Sequence, residues 1–288
     1  MSAGTANAPS GFKVPLLQGR WLVGLAAAIV VLNGFFPALW ILLTSLKTET
    51  ELVSKPITYW PANPTLANYV QAFTDQPLLK YLANSALVAI GSTVVSLLVA
   101  ALAAYAIARL NLKRRQLILT CIVASSMFPL VTLLVPIFET MRALGLLNTY
   151  TALILPYTVL NLPVCTLVLV GFFQSIPRDL ENAAMIDGCT RLGALWRVVV
   201  PLAAPGVFTA GILAFVNAWD EFLLALSLNA SASMRTVPVG ITLYQGEFTF
   251  PWPIISAALI VAIVPVAVLI AIFQERVVGG LTQGGLKG

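Results

Sequence analysis

Residues 83–108 read ANSALVAIGSTVVSLLVAALAAYAIA (Ala83–Ala108), an uncharged run of 26 residues. At 1.5 Å per residue, such a run wound as a helix spans more than the roughly 30 Å of a bilayer's hydrocarbon core. It is far too long for a strand of a membrane barrel, so it predicts a transmembrane helix. Five further apolar runs reach the same length, bounded by charges or turn residues: Trp21–Leu46, Leu117–Phe138, Thr151–Gln174, Gly206–Leu228 and Pro253–Phe273. The expected fold is all-α and integral to the membrane, with six transmembrane helices. The first run is too long in its apolar core for a cleavable signal, and no small-residue cleavage site follows it.

The composition agrees. Of the 288 residues, 59% are hydrophobic and 9% charged, against roughly 25% charged in a soluble domain. That excludes a soluble enzyme, and the hydrophobicity excludes a disordered chain. The absence of histidine removes imidazole triads, histidine metal sites and the usual proton relay. Cys121, Cys165 and Cys189 are far apart and read as small apolar residues. No lysine follows a glycine, so the chain has no P-loop. If ATP drives this protein, another chain binds it.

The net charge of +5 sets topology and does not point to nucleic acid. The N-terminal tail, the loop around Arg109–Gln116, the loop Ser175–Pro205 and the C-terminal tail carry 11 of the 16 basic residues. The opposite side carries Lys47, Lys55, Lys80, Arg142 and Arg235. Both termini are therefore expected in the cytoplasm, anchored most strongly by Lys113-Arg114-Arg115. The layout is a cytoplasmic tail (1–20), a first transmembrane helix with its external loop (21–82), a helical core (83–275) and a glycine-rich cytoplasmic tail (276–288). Neither extramembrane stretch, Lys47–Lys80 or Ser175–Pro205, is long enough for a domain of its own.

The loop between the fourth and fifth runs is unusual. It reads SIPRDLENAAMIDGCTRLGALWRVVVP (Ser175–Pro201) and predicts two short helices with a glycine break. Ser175 or Asp179 can cap the first, Pro177 suits its first turn, and Asp179 and Glu181 favour its N-terminal end. Leu180, Ala183, Ala184 and Asp187 recur at helical spacing and make a face of small residues that another surface can approach closely. Gly188 stands where a helix C-terminus wants a left-handed residue. Thr190 can cap the second helix, with Leu192, Leu195, Trp196 and Val199 on one apolar side and Pro201 ending or kinking it at the membrane.

This loop resembles the signature of permease subunits of ATP-binding-cassette (ABC) importers: Glu-Ala-Ala, three residues, Gly, nine residues, then Ile-x-Leu-Pro. The corresponding run here is Asn182-Ala183-Ala184, three residues, Gly188, nine residues, then Val198-Val199-Val200-Pro201. Asn182 stands in the place of the family's glutamate, with Glu181 beside it; asparagine keeps an acceptor and loses the charge, which argues against a required salt bridge there and leaves docking in place. The segments Glu181–Gly188, Asn217–Leu226 and the tail Gly279–Gly288 resemble the carbohydrate-type importers, in particular their second permease.

The resemblance implies a type I importer permease fold and no enzymatic activity in this chain. It implies a multi-pass subunit of the bacterial inner membrane. The partners would be a second, homologous permease, two cytoplasmic ABC ATPases carrying ATP and Mg²⁺, an external solute-binding protein and membrane lipid. The solute would be a sugar or sugar-like molecule such as a di- or oligosaccharide or a polyol. The coupling residues would be Leu180, Glu181, Asn182, Ala183, Ala184, Asp187, Gly188 and Pro201. Glycine resists ordering, so the tail alone reads as disordered; the resemblance implies contact with the ATPases.

For the solute pathway, Asp220 and Glu221 are the acidic pair of the fifth run, near its outer end, where charges face a cavity or a partner. Trp219 offers a stacking surface for a sugar face. Asn161, Asn217 and Gln245 are further polar groups that can serve as pathway contacts or as helix–helix glue. Pro156 and Pro163 in the fourth run, and Pro129 and Pro136 in the third, are places for kinks that would widen a cavity. The rival reading is a secondary transporter or channel for a small polar solute, which would need its own ionisable groups within the bundle; the near absence of such groups argues against it.

Overall fold

The computed structural model describes residues 16–246 and 249–285. In chain order the helices are α1 (Leu16–Ser45), α2 (Glu49–Leu52), α3 (Ala67–Asp75), α4 (Leu78–Arg109), α5 (Arg115–Ser126), α6 (Leu130–Ala143) and α7 (Tyr150–Ser175), followed by α8 (Arg178–Ile186) and α9 (Arg191–Ala194). A π-helical segment (Leu195–Val199) then leads into α10 (Val200–Leu202), α11 (Ala204–Asp220), α12 (Leu223–Leu228), α13 (Val237–Thr242) and α14 (Trp252–Gly285). No strand occurs among the described residues, as the sequence predicts.

Four helical stretches are long and apolar enough to cross a membrane: Trp21–Ser45, Leu78–Arg109, Tyr150–Ser175 and Trp252–Gln274. The other two expected spans are broken. α5 and α6 meet at 89° across Met127–Pro129, and at roughly 18 and 21 Å neither half alone crosses the hydrocarbon. Proline provides the reason. Pro129 has no N–H to continue the ladder, and its ring drives Phe128 away from helical angles. Pro136, Pro156 and Pro163 lie inside helices that continue through them unbroken. The run Arg191–Leu202 likewise meets α11 at 82°. The bend falls at Ala203, two residues after Pro201. The fifth helix ends at Asp220 and not at Leu228, because Glu221 turns to extended angles and starts α12.

α4, α7 and α11 pack together at the centre. Ala100, Ala101, Ala104 and Ala108 of α4 meet Cys165, Leu169 and Phe173 of α7 and Ala210 and Ala214 of α11 in one buried cluster. Apolar side chains gain little by leaving lipid, so close approach of small residues and van der Waals contact supply the attraction. Gly206 shows how close this is: a Cβ there would lie 2.3 Å from the ring of Phe172. α1 stands apart, with none of its apolar window buried, and packs against α14. α14 itself remains helical past Phe273 to Gly285, so the backbone of most of the glycine-rich tail is ordered as helix, in contrast to the disorder its glycines predict. The N-terminal tail through residue 15 and residues 286–288, the end of the tail expected to meet the ATPases, lie outside the described residues.

The segment after α1, residues 46–66, is tied to the end of that helix. Asn68 donates to the carbonyls of Ser45 and Lys47, each at 2.8 Å, and so satisfies acceptors at a helix end. Lys47 is buried, donates to Thr58 O and lies over the Trp40 ring at 5.6 Å. Glu51 accepts from Ala62 N at 2.8 Å and Thr58 Oγ1 at 2.9 Å. The Ala62 N–H, ahead of the Thr58 hydroxyl, holds the carboxyl below the ordinary carboxylate range.

Candidate functional site

The loop that the motif singles out folds as two short helices with a glycine break. Pro177 occupies the N-cap position of α8, with no side-chain cap; Ser175 donates instead to Phe172 O. Asp179 and Glu181 lie in the first turn, where the helix dipole favours them. The C-terminus closes as a Schellman motif: Cys189 N donates to Ala184 O at 2.9 Å and Gly188 N to Met185 O at 3.1 Å. Gly188 takes φ +91°, a value only glycine holds at no steric cost. Thr190 Oγ1 accepts from Gly193 N at 3.1 Å and starts α9.

Glu181 and Asn182 have opposite fates. One residue turns a helix by about 100°, so neighbours face apart. Glu181 is 6% exposed and points inward; Asn182 is exposed. The Tyr105 hydroxyl donates to Glu181 Oε1, and Arg109 Nε lies 3.2 Å from Oε2. Arg109 also donates through Nη2 to Ile176 O at 3.0 Å, at the end of α7. Beside the pair is a cavity of about 230 Å³ lined by Arg109, Arg178, Glu181, Asn182, Met185 and Arg191 among others. By sequence, Arg109 reads only as a topology charge, and Tyr105 is not singled out at all. The signal that could have found them is their spacing: residues four apart share a helix face.

Most of the rest of α8 is exposed. Leu180, Asn182, Ala183, Asp187 and Gly188 are exposed, Ala184 is half-buried, and Ile186 is 86% exposed. On the following segment, Leu195 and Val199 are buried, whereas Leu192 and Trp196 stay exposed. The apolar side expected there is therefore only half used. The π geometry of Leu195–Val199 changes the angle between successive side chains, and such bulges concentrate at functional sites. Pro201 sits inside α10.

The polar groups of the fifth run form two separate clusters. Asn217 Nδ2 donates to Asn161 Oδ1 at 2.7 Å, and Asn161 Nδ2 to Ala214 O at 3.3 Å, so this pair joins α7 to α11. Glu221 caps α12, accepting from Leu224 N at 2.8 Å and Ala225 N at 3.1 Å, and also takes the Tyr157 hydroxyl at 2.5 Å. Nothing in the sequence marks Tyr157 for this part. Trp219 is 4% exposed and stacks on Phe215 with ring centroids 5.6 Å apart, so in this conformation its face is turned to protein and not to a solute. Asp220 and Asn217 are exposed, three residues apart on α11. Gln245 is exposed, beyond α13.

Residues 96–282 match the family described as binding-protein-dependent transport system inner membrane component. This chain belongs to that family. The permease is a non-catalytic, multi-pass membrane subunit of an ABC importer, and its family works in membrane complexes with partner chains. It is 73% identical over 271 residues to the sulfoquinovosyl glycerol transport system permease protein SmoH of Agrobacterium fabrum, covering 94% of this chain and 95% of that protein. It is 42% identical to the trehalose transport system permease protein SugB of Mycobacterium tuberculosis (90% and 95% covered). It is 36% identical to the trehalose/maltose transport system permease protein MalG of Thermococcus litoralis (93% and 97% covered). Its fold matches a chain of a bacterial ABC transporter involved in import of the acidic polysaccharide alginate, with a TM-score of 0.77 at 20% identity, covering 93% of the permease and 99% of that chain. The type I permease fold implied by the loop motif is therefore the fold of this chain.

Proposed function

We propose that this permease forms half of the translocation pathway of an importer for a sugar glycoside, and that α8 is the element through which a separate ATPase drives it. The observation that carries the coupling role is the face of α8. It is small, uncovered and rigidly held, since a buried acid secures its first turns and a Schellman motif its last. Leu180, Asn182, Ala183, Ala184, Asp187 and Gly188 make the contact, Glu181 fixes the helix, and Pro201 lies on the segment leading back into the membrane. ATP and Mg²⁺ would reside on two partner ATPases; a second permease would complete the pathway, and an external binding protein would deliver the solute. The setting is the bacterial inner membrane.

The solute class rests on the relatives. Identity of 73% along nearly the whole chain favours a sulfonated sugar glycoside such as sulfoquinovosyl glycerol. Within the pathway, the exposed Asn217 and Asp220 are this subunit's contacts, whereas Asn161, Trp219 and Glu221 support the helices that present them. The test is the reconstituted complex in proteoliposomes with its binding protein. Sulfoquinovosyl glycerol should stimulate ATP hydrolysis at least tenfold more than maltose, trehalose or a glycerol phosphodiester. Equal stimulation by all four would overturn the solute class. Uptake that persists without ATP and collapses with an uncoupler would overturn the importer in favour of a secondary transporter.

A further inference from the structure

We infer that Glu181, Tyr105 and Arg109 form the mechanical joint of this permease, the clamp through which motion of α8 enters the transmembrane bundle by way of α4. The inference rests on the coupling role proposed above and assigns its internal route.

Besides the short link back to α7 through Ile176 and Pro177, both at extended ψ, two routes lead from α8 into the bundle. The first follows the chain through α9, the π segment and α10 into α11. It contains a π bulge and an 82° bend at Ala203, both points where displacement is absorbed. The second leaves the chain at Glu181. Both carboxylate oxygens face one helix: Tyr105 donates to Oε1, and Arg109 Nε stands 3.2 Å from Oε2 as an ion pair without a hydrogen bond. Tyr105 and Arg109 are four residues apart, so α4 presents them as two prongs on one face. Arg109 adds a bond to Ile176 O, two residues before α8 begins, so the ends of α4 and α7 and the start of α8 meet at one guanidinium.

The clamp is stiff for a physical reason. The side chains of Arg109 and Glu181 are 4% and 8% exposed. A buried charge pair cannot separate without leaving each charge uncompensated, so the helices carrying it move together. α4 is an unbroken helix of 32 residues, and it packs chiefly against α7 and α11. A displacement delivered at Glu181 therefore reaches the whole central bundle along a rigid rod, whereas the covalent route to α11 bends. The offset in the motif also makes sense: the acid at 181 serves the permease's own joint, and the neutral Asn182 is left for the partner's surface.

Glu181, Tyr105 and Arg109 are thus positioning residues, and their signature is the number of ATP molecules hydrolysed per sulfoquinovosyl glycerol imported by the full complex in proteoliposomes. Glu181→Ala should raise this ratio at least tenfold. In a second variant, Cys121, Cys165 and Cys189 are replaced, and Tyr105→Cys with Glu181→Cys is bridged by a short bis-methanethiosulfonate linker. The bridged complex should return to within about threefold of the wild-type ratio, and reduction of the same sample should uncouple it again. A wild-type ratio in Glu181→Ala, or no difference between bridged and reduced samples, would overturn the joint. Failure of the wild-type complex to hydrolyse ATP in response to solute would instead overturn the coupling role itself.

Discussion

Gly188 and Glu181 show how much of this permease's behaviour is decided by single residues. At Gly188 the backbone takes φ +91° while its N–H and that of Cys189 close the end of α8. A side chain there meets no neighbour, so its cost is purely conformational, about 1–2 kcal/mol for a left-handed residue. Gly188→Leu should leave membrane insertion intact while lowering solute uptake by at least tenfold, because α8 loses its fixed end and presents a bulky group to its partner. Immunoblotting of membrane fractions beside uptake measurements checks this, and normal uptake would remove the cap from the coupling role. The glycine was legible in the sequence, since only a helix end wants it. The division of labour between Glu181 and Asn182 was not, because their environments come from α4, more than 70 residues earlier.

At the scale of the element, the prolines and glycines of the spans differ in what they do. Pro129 breaks its helix at 89°, whereas Pro136, Pro156 and Pro163 lie within continuous helices. Sequence marks each as a place where a backbone hydrogen bond is lost. The sequence does not say which becomes a bend: α7, carrying Pro156 and Pro163, is braced on several sides by α4, α5 and α11, whereas Pro136 continues through α6, where Met141 alone is buried. Gly206 is the opposite case, a residue whose missing side chain lets α11 approach α7. Gly206→Ile would drive a side chain into Phe172 and should cost about 1–3 kcal/mol. A lowered thermal unfolding midpoint of the detergent-purified complex measures it; an unchanged midpoint would show that the helices can part at no cost. The fifth span carries a further lesson. Its hydropathy continues to Leu228, but Glu221 ends one helix and caps the next, so the apolar run and the helix have different lengths.

For the whole molecule, the few charges place the chain in the bilayer. With 11 of 16 basic residues on the side expected to face the cytoplasm, the loop at Lys113-Arg114-Arg115 is the expected strongest anchor. In a cysteine-free background, a single cysteine at Asn111 should resist a membrane-impermeant maleimide added outside intact cells. One at Leu144 should react. Replacing Lys113, Arg114 and Arg115 with glutamine should make the Asn111 site partly reactive as a second orientation becomes populated. Outside labelling of the Asn111 site in the otherwise native chain would reverse the topology. The bundle that results leaves α1 unburied along its apolar window, a surface for lipid or for another subunit of the complex.

The all-helical fold, the places of the apolar runs and the two short helices with their glycine break were determined by the sequence alone. Each depends on transfer of side chains and backbone into hydrocarbon, or on spacing along one short segment, and both are local sums over neighbouring residues. The tertiary structure decided what joins distant segments: the clamp of Tyr105 and Arg109 on Glu181, the bond between Asn161 and Asn217, the capping of α12 by Glu221 with Tyr157, and the burial of Trp219 against Phe215. A hydrogen bond in a dry interior forms only where two helices bring donor and acceptor together, and no periodicity within either helix records its partner.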